Sequence, residues 1–153
     1  AVTAKFFDEP IKLSFIQSLS ELCCKTLAER YDYSELFDYT DFFINNISKA
    51  NALKLYILWE RELLTAIGFE LNPDNKNFNF YKNNLSQWIL EIDKQKFLYP
   101  NFLIDSNSVY EDTDLYEGLV INKFILKRFV FEPNRIRFPE VRERIEKKLN
   151  EKK

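Results

Sequence analysis

NALKLYILWERELLTAIGFELNPD, running from Asn51 to Asp74, is the stretch whose reading decides the fold. Placed on a 3.6-residue helix, Leu53, Tyr56, Ile57, Leu63, Leu64 and Ile67 form one apolar stripe. Asn51 is an N-cap residue type, and Gly68 supplies a left-handed C-cap. Glu60 falls at the centre of the stripe, where a carboxylate is desolvated unless a cation or backbone N–H groups meet it. The spacing therefore predicts a buried, paired Glu60, with a partner drawn from Lys123 to Arg137 and Arg128 as the choice. An orphan helix N-terminus donating N–H groups is the alternative. On the opposite face Lys54, Leu58, Arg61 and Thr65 recur at helical spacing, so a leucine is expected to stand exposed between two cations. That face reads either as a partner site or as ordinary solvated surface with one stray apolar residue.

Outward from this helix the pattern stays helical. Pro10 suits the first turn of a helix to about Ala28, with Ile11, Phe15, Ile16, Leu19, Leu22, Cys23 and Leu27 on its apolar face. Asp32 and Glu35 have capping-box spacing ahead of Leu36, Phe37, Tyr39, Phe43, Ile44 and Ile47. Residues 72–84 read as an Asn-rich irregular connector. Leu85, Trp88, Ile89 and Ile92 then repeat at helical spacing, although WILEI alone also suits a short strand. Residues 101–114 read as a polar connector interrupted by Phe102-Leu103-Ile104. Leu115 to Phe131 is apolar on nearly every side and reads as a buried helix stopped by Glu132-Pro133. A last helix from Pro139 shows a narrow seam of Val141, Ile145 and Leu149, which suits a peripheral element. The expected fold is all-α: one domain over 1–153, of about five to six helices, with one long irregular connector.

Composition supports one compact unit. With 153 residues, 46% of them hydrophobic, the chain can bury a sizeable core. Two glycines exclude a Gly-rich phosphate loop, and no apolar run is long enough for a membrane span. Asp8 and Glu9 follow too closely on a short apolar start for a signal peptide. An Ala1 start and the absence of Met suggest a piece of a longer protein. Cys23 and Cys24 are adjacent, a poor geometry for an ordinary disulfide, and the chain reads as cytoplasmic. The sequons at Asn46 and Asn84 are discounted as chance matches in an Asn-rich chain.

Without histidine the commonest general base and metal ligand are missing, and carboxylate pairs such as Asp38/Asp41 and Glu111/Asp112 lie on solvated faces. Catalysis and cofactors are not expected. Charge is divided: from Leu119 on the balance is about +6, against about −8 for residues 1–118. Lys127, Arg128, Arg135, Arg137 and Arg142 are therefore candidate contacts to phosphate or to an acidic partner. The other reading is a solvated terminal helix.

Three loose motifs also carry a resemblance. The central helix has the aromatic-Glu pair Trp59-Glu60, then Leu63-Leu64 and Gly68-Phe69. Upstream stands FIQSLSELCCKTLAERYDYSELFDYTDFFINNI, and downstream GLVINKFILKRFVFEPNRIRFPEVRERIEKKL. In order and spacing they resemble the C-terminal helical domain of the recombination mediator family RecO, over nearly all of the chain and most weakly from Lys76 to Ser108. The resemblance implies a non-enzymatic DNA-repair role with RecR and single-stranded-DNA-binding protein, loading RecA and annealing strands, and an oligonucleotide-binding barrel upstream through which DNA is mainly bound. It further implies that Lys54, Leu58, Arg61 and Thr65 receive the acidic, Phe-ending tail of single-stranded-DNA-binding protein. The family's arginine before the aromatic-Glu pair has no counterpart, since Ile57 and Leu58 stand there. Where some members carry a four-cysteine zinc site, this chain has NPDNKNFNFYKNN, so no zinc is expected. From composition alone, a small helical enzyme or ligand carrier with an aromatic-lined cavity is the alternative.

Overall fold

The computed structural model describes residues 9–29 and 31–151, so the leader expected over 1–9 lies, but for Glu9, outside the described residues. Its elements in chain order are α1 (Glu9–Thr26), α2 (Ser34–Asn45), α3 (Ala52–Ala66), β1 (Asn79–Lys82), β2 (Trp88–Ile92), β3 (Gln95–Leu98), α4 (Asp112–Leu126) and α5 (Glu140–Glu151). A 3-10 turn spans Asn101–Leu103, and a π-helical turn, Lys127–Phe131, extends α4. The strands form an antiparallel sheet in the order β1-β2-β3. The expectation of an all-α domain is thereby corrected: the fold is mixed, five helices with a three-stranded sheet among the described residues.

The strand alternative for WILEI is β2 itself, and the helix reading set beside it fails for a physical reason. Leu85, Trp88, Ile89 and Ile92 fit a helix stripe only if Leu85 is buried, and it is 77% exposed in the β1–β2 loop. Within β2 the period is two: Leu90 and Ile92 are buried and Glu91 between them is not. The loop is built by Asn83, whose Oδ1 accepts the N–H groups of Leu85 at 2.9 Å and Gln87 at 3.0 Å, with Ser86 in the left-handed region. The β2–β3 turn places Asp93 at φ 51° and Lys94 at φ 69°, a primed two-residue turn without the glycine that normally signals one.

At the centre lies α3, buried on almost every side, with α2 and α4 packed against it. It ends in a Schellman motif: the Phe69 N–H donates to Leu64 O at 2.8 Å, the Gly68 N–H donates to Thr65 O at 3.1 Å, and Gly68 has φ +107°. Asn51 occupies the N-cap position, but its side chain makes no capping bond. On α4, Gly118 permits close approach to α3, since a Cβ there would stand 3.0 Å from Ile57 Cγ2. Asp114 reaches back to the Glu111 N–H at 2.8 Å and fixes the start of α4. The capping-box reading at Asp32 is also corrected. The helix begins two residues later, and Asp32 Oδ1 instead accepts the Ser34 N–H at 3.0 Å. Phe37 and Ile44, expected inside, are 52% and 42% exposed, because α2 meets α3 through Leu36 and Phe43. α5 packs on α1 and α4 and buries Val141, Arg142, Ile145 and Leu149.

Candidate partner-binding site

Glu60 is fully buried, and its partner is Arg142 rather than Arg128. The Arg142 Nε donates to Glu60 Oε2 at 2.5 Å and Nη2 donates to Oε1 at 3.0 Å, the bidentate fork that suits a carboxylate. Asn122 Nδ2 adds a bond to Oε1 at 3.1 Å, and Arg142 Nη2 also reaches Leu119 O at 2.7 Å. Burial alone would lower the Arg142 pKa, but the Glu60 charge outweighs it and holds the guanidinium above its ordinary value. Burial, and then the Glu60 charge, push the Tyr56 hydroxyl well up as well, so it stays neutral beside Ser18 Oγ at 2.5 Å. Such a closed, charge-balanced cluster holds the fold together and presents nothing to a ligand. Arg128 is occupied elsewhere, on Asp93 at 2.6 Å across the β2–β3 turn.

The expected peptide face on α3 is not the open surface that its spacing suggests. Leu58 is 2% exposed and belongs to the core, so it cannot seat a partner's ring. The 101–110 segment accounts for the two cations flanking it. Lys54 Nζ donates to Ser106 O at 2.5 Å and lies 5.3 Å from the Tyr110 ring centroid, and Arg61 Nη1 donates to Leu103 O at 2.6 Å. Thr65 is exposed, and with Arg61 it borders a cleft of about 330 Å³ beside Leu71, Pro73, Leu103 and Ile104. Two carboxylates, Glu62 and Glu70, line the same cleft and oppose an acidic ligand.

Of the five basic candidates, Arg142 is removed from solvent and cannot meet a phosphate. Lys127 lies 3.7 Å from Glu143 and 5.7 Å from the Phe138 ring, whereas Arg135 is exposed with φ 56°. Arg137 is exposed and pairs with Glu140 at 2.7 Å. The structure brings Arg137 together with residues the sequence reading missed. A groove of about 710 Å³ between α1 and the start of α5 has Ile16, Phe138, Pro139 and Val141 as its apolar part. Lys25, Arg137 and Arg144 supply cations there, against Glu21 and Glu140. No sequence signal joins Lys25 to Arg144, since the α1–α5 contact exists only in three dimensions.

A second cleft, of about 480 Å³, is lined by Phe69, Phe78 and Phe129 with Asn77, Asn79 and Glu91. Phe69 and Phe129 stack at 5.4 Å. Cys23 is half-buried and Cys24 exposed, and both are free thiols. Among the described residues no group of three or more Cys, Asp or Glu side chains could hold a metal ion. No described helix is long and apolar enough to cross a membrane.

Comparison with known proteins finds sequence relatives. The chain is 27% identical over 145 residues to the DNA repair protein RecO of Rickettsia canadensis, an alignment covering 87% of this chain and 60% of that protein. It is 24% identical to the RecO proteins of Rickettsia rickettsii and Rickettsia conorii, covering 87% of this chain and 61% of each. The chain thus spans about 60% of the length of the curated relatives it matches. No solved structure gives a significant match. The family model described as the C-terminal part of recombination protein O matches residues 8–87, which take in α1, α2, the whole of α3 with its buried Glu60, and β1. More than half the chain fits that pattern, and the remainder supplies the arginine that Glu60 requires: the chain belongs to the RecO family of DNA repair proteins.

Proposed function

We propose that this chain is the non-enzymatic, partner-binding part of a cytoplasmic recombination mediator. It would work with RecR and single-stranded-DNA-binding protein to load RecA and anneal DNA, with DNA held mainly by a barrel domain outside this sequence. What carries the proposal is family membership through a region that contains the central helix. For the acidic, Phe-ending tail of single-stranded-DNA-binding protein, the α1–α5 groove suits better than the α3 face first expected. A terminal ring needs an apolar seat and its carboxylate a cation, and the 40%-exposed Ile16 beside Lys25 and Arg144 offers both.

A fluorescein-labelled acidic peptide ending in Phe, titrated into the protein and followed by anisotropy, tests the assignment. Arg144→Glu is expected to weaken binding by about tenfold or more, equivalent to about 1.4 kcal/mol. Equal loss from Thr65→Glu, with Arg144→Glu silent, would move the site to the Arg61 cleft. Unchanged binding in both variants would remove the peptide-receptor reading altogether. A ligand-carrier reading draws on one observation, the cleft of Phe69, Phe78 and Phe129, and predicts that small aromatic compounds raise the melting temperature.

A further inference from the structure

The segment from Tyr31 to Ser48 contains Asp32, Glu35, Asp38 and Asp41 and no lysine or arginine. Several acids on other helices find cations: Glu9 with Lys12, Glu62 with Arg61, Glu140 with Arg137, Glu146 with Lys123. Among the described residues Glu35, Asp38 and Asp41 make no ion pair, so α2 carries its negative charge uncompensated.

The same segment leaves large apolar side chains in water. Tyr31 is 73% exposed, Phe37 52%, Phe42 49% and Ile44 42%. Measured around the helix from the buried pair Leu36 and Phe43, Phe37 and Ile44 fall on one flank, Phe42 and Glu35 on the other, with Asp38 and Asp41 between them. The rings are already ordered by each other: Tyr31 stacks on Tyr33 at 6.1 Å, Tyr33 meets Phe37 edge-on at 6.3 Å, and Phe42 lies 5.9 Å from Tyr39. Pre-ordered aromatics bind at low entropic cost and are the side chains that dominate recognition energy.

Independently of the groove assigned above, we propose that the outward face of α2 is a docking surface for a basic, arginine-rich amphipathic segment of a partner protein. Charge complementarity selects this occupant. A guanidinium can stack on Phe37 or Phe42 while pairing with Asp38 or Asp41, whereas an acidic tail or a nucleic-acid strand is repelled by the same row. The chemistry is the reverse of that in the α1–α5 groove, so the two sites take different ligands.

The test uses a labelled synthetic helical peptide with arginines four residues apart and leucines on the adjoining face. Asp38→Lys combined with Asp41→Lys is expected to weaken binding more than tenfold, and Phe42→Ser severalfold. The melting temperature should change little, because all three side chains project outward. Glu132→Lys, which reverses an exposed charge elsewhere, is expected to leave affinity nearly unchanged. If Glu132→Lys costs as much as the α2 charge reversals, the attraction is only net charge and the proposal fails. It fails equally if Phe42→Ser and Phe37→Ser bind like the parent. Sedimentation equilibrium supplies the last arm: a dimer dissolved by Asp41→Lys would make the occupant a second copy and overturn the partner assignment.

Discussion

Arg142 carries a full charge to a place where water does not reach, and Glu60 is the reason it can. Loss of Arg142 leaves the Glu60 carboxylate buried without a cation, whereas loss of Glu60 leaves Arg142 with only Glu146, at 3.4 Å. Arg142→Met is expected to lower the unfolding free energy by about 3–5 kcal/mol. The double change Glu60→Leu with Arg142→Met should recover most of it, read from urea melts of the four-protein cycle. A non-additive result is the signature of the pair, and additive losses would contradict it. Thiol chemistry gives a second expectation at this scale. Burial, reinforced by Cys24, pushes the Cys23 thiol up to about 11, whereas Cys24 is exposed. Iodoacetamide near neutrality should label Cys24 well before Cys23, as peptide mapping would reveal. Unfolding returns Cys23 to the ordinary thiol value of 9.0, so the folded state holds that proton longer. Stability contributed by this group is therefore present below pH 9 and lost as pH rises through about 11.

Among the elements, the α3–α4 contact and the β2–β3 turn make the sharpest demands on sequence. Gly118→Val would drive a branched side chain into Ile57, Phe102 and Leu103, and is expected to cost about 1–3 kcal/mol or more. Lys94→Gly relieves a left-handed residue at the primed turn, and should raise the melting temperature by about 2–4 °C for each 1 kcal/mol gained. Calorimetry on both variants checks the signs. These same elements divide what the sequence disclosed from what it concealed. The α3 stripe was legible, down to the carboxylate inside it, because a glutamate among leucines has few places to go. Gly68 was legible as a C-cap because one residue type dominates that conformation. Of the sheet only β2 showed, as the strand alternative for WILEI: Leu85, Trp88, Ile89 and Ile92 mimic a helix by coincidence, and Asp93-Lys94 lacks the glycine that betrays a hairpin. Phe37 and Ile44 misled because an apolar residue's address depends on where the helix next to it lies. Lys25, Arg144 and Ile16 form one groove only after α5 has settled on α1, and periodicity says nothing about distant neighbours.

At the level of the whole molecule, charge is divided between an acidic α2 and a more basic C-terminal region, and fold and function share that division. Both proposed interfaces depend on it, and both should weaken as ionic strength approaches about 1 M, where the Debye length falls to about 3 Å. A titration that keeps its midpoint in high salt would tie binding to apolar contact alone. The Glu60–Arg142 pair closes over 82 residues of chain, linking α3 to the last described helix. During synthesis the carboxylate therefore emerges long before its guanidinium. Until α5 has left the exit tunnel, the nascent chain has every other part of its central helix but no counter-ion for its core. Residues 8–87 form a unit of family likeness that lacks this guanidinium, and chains arrested before Arg142 are expected to remain open to protease until α5 is available. The ribosome must hand over α5 before the domain can close, which makes the arrival of Arg142 the checkpoint for a folded repair protein.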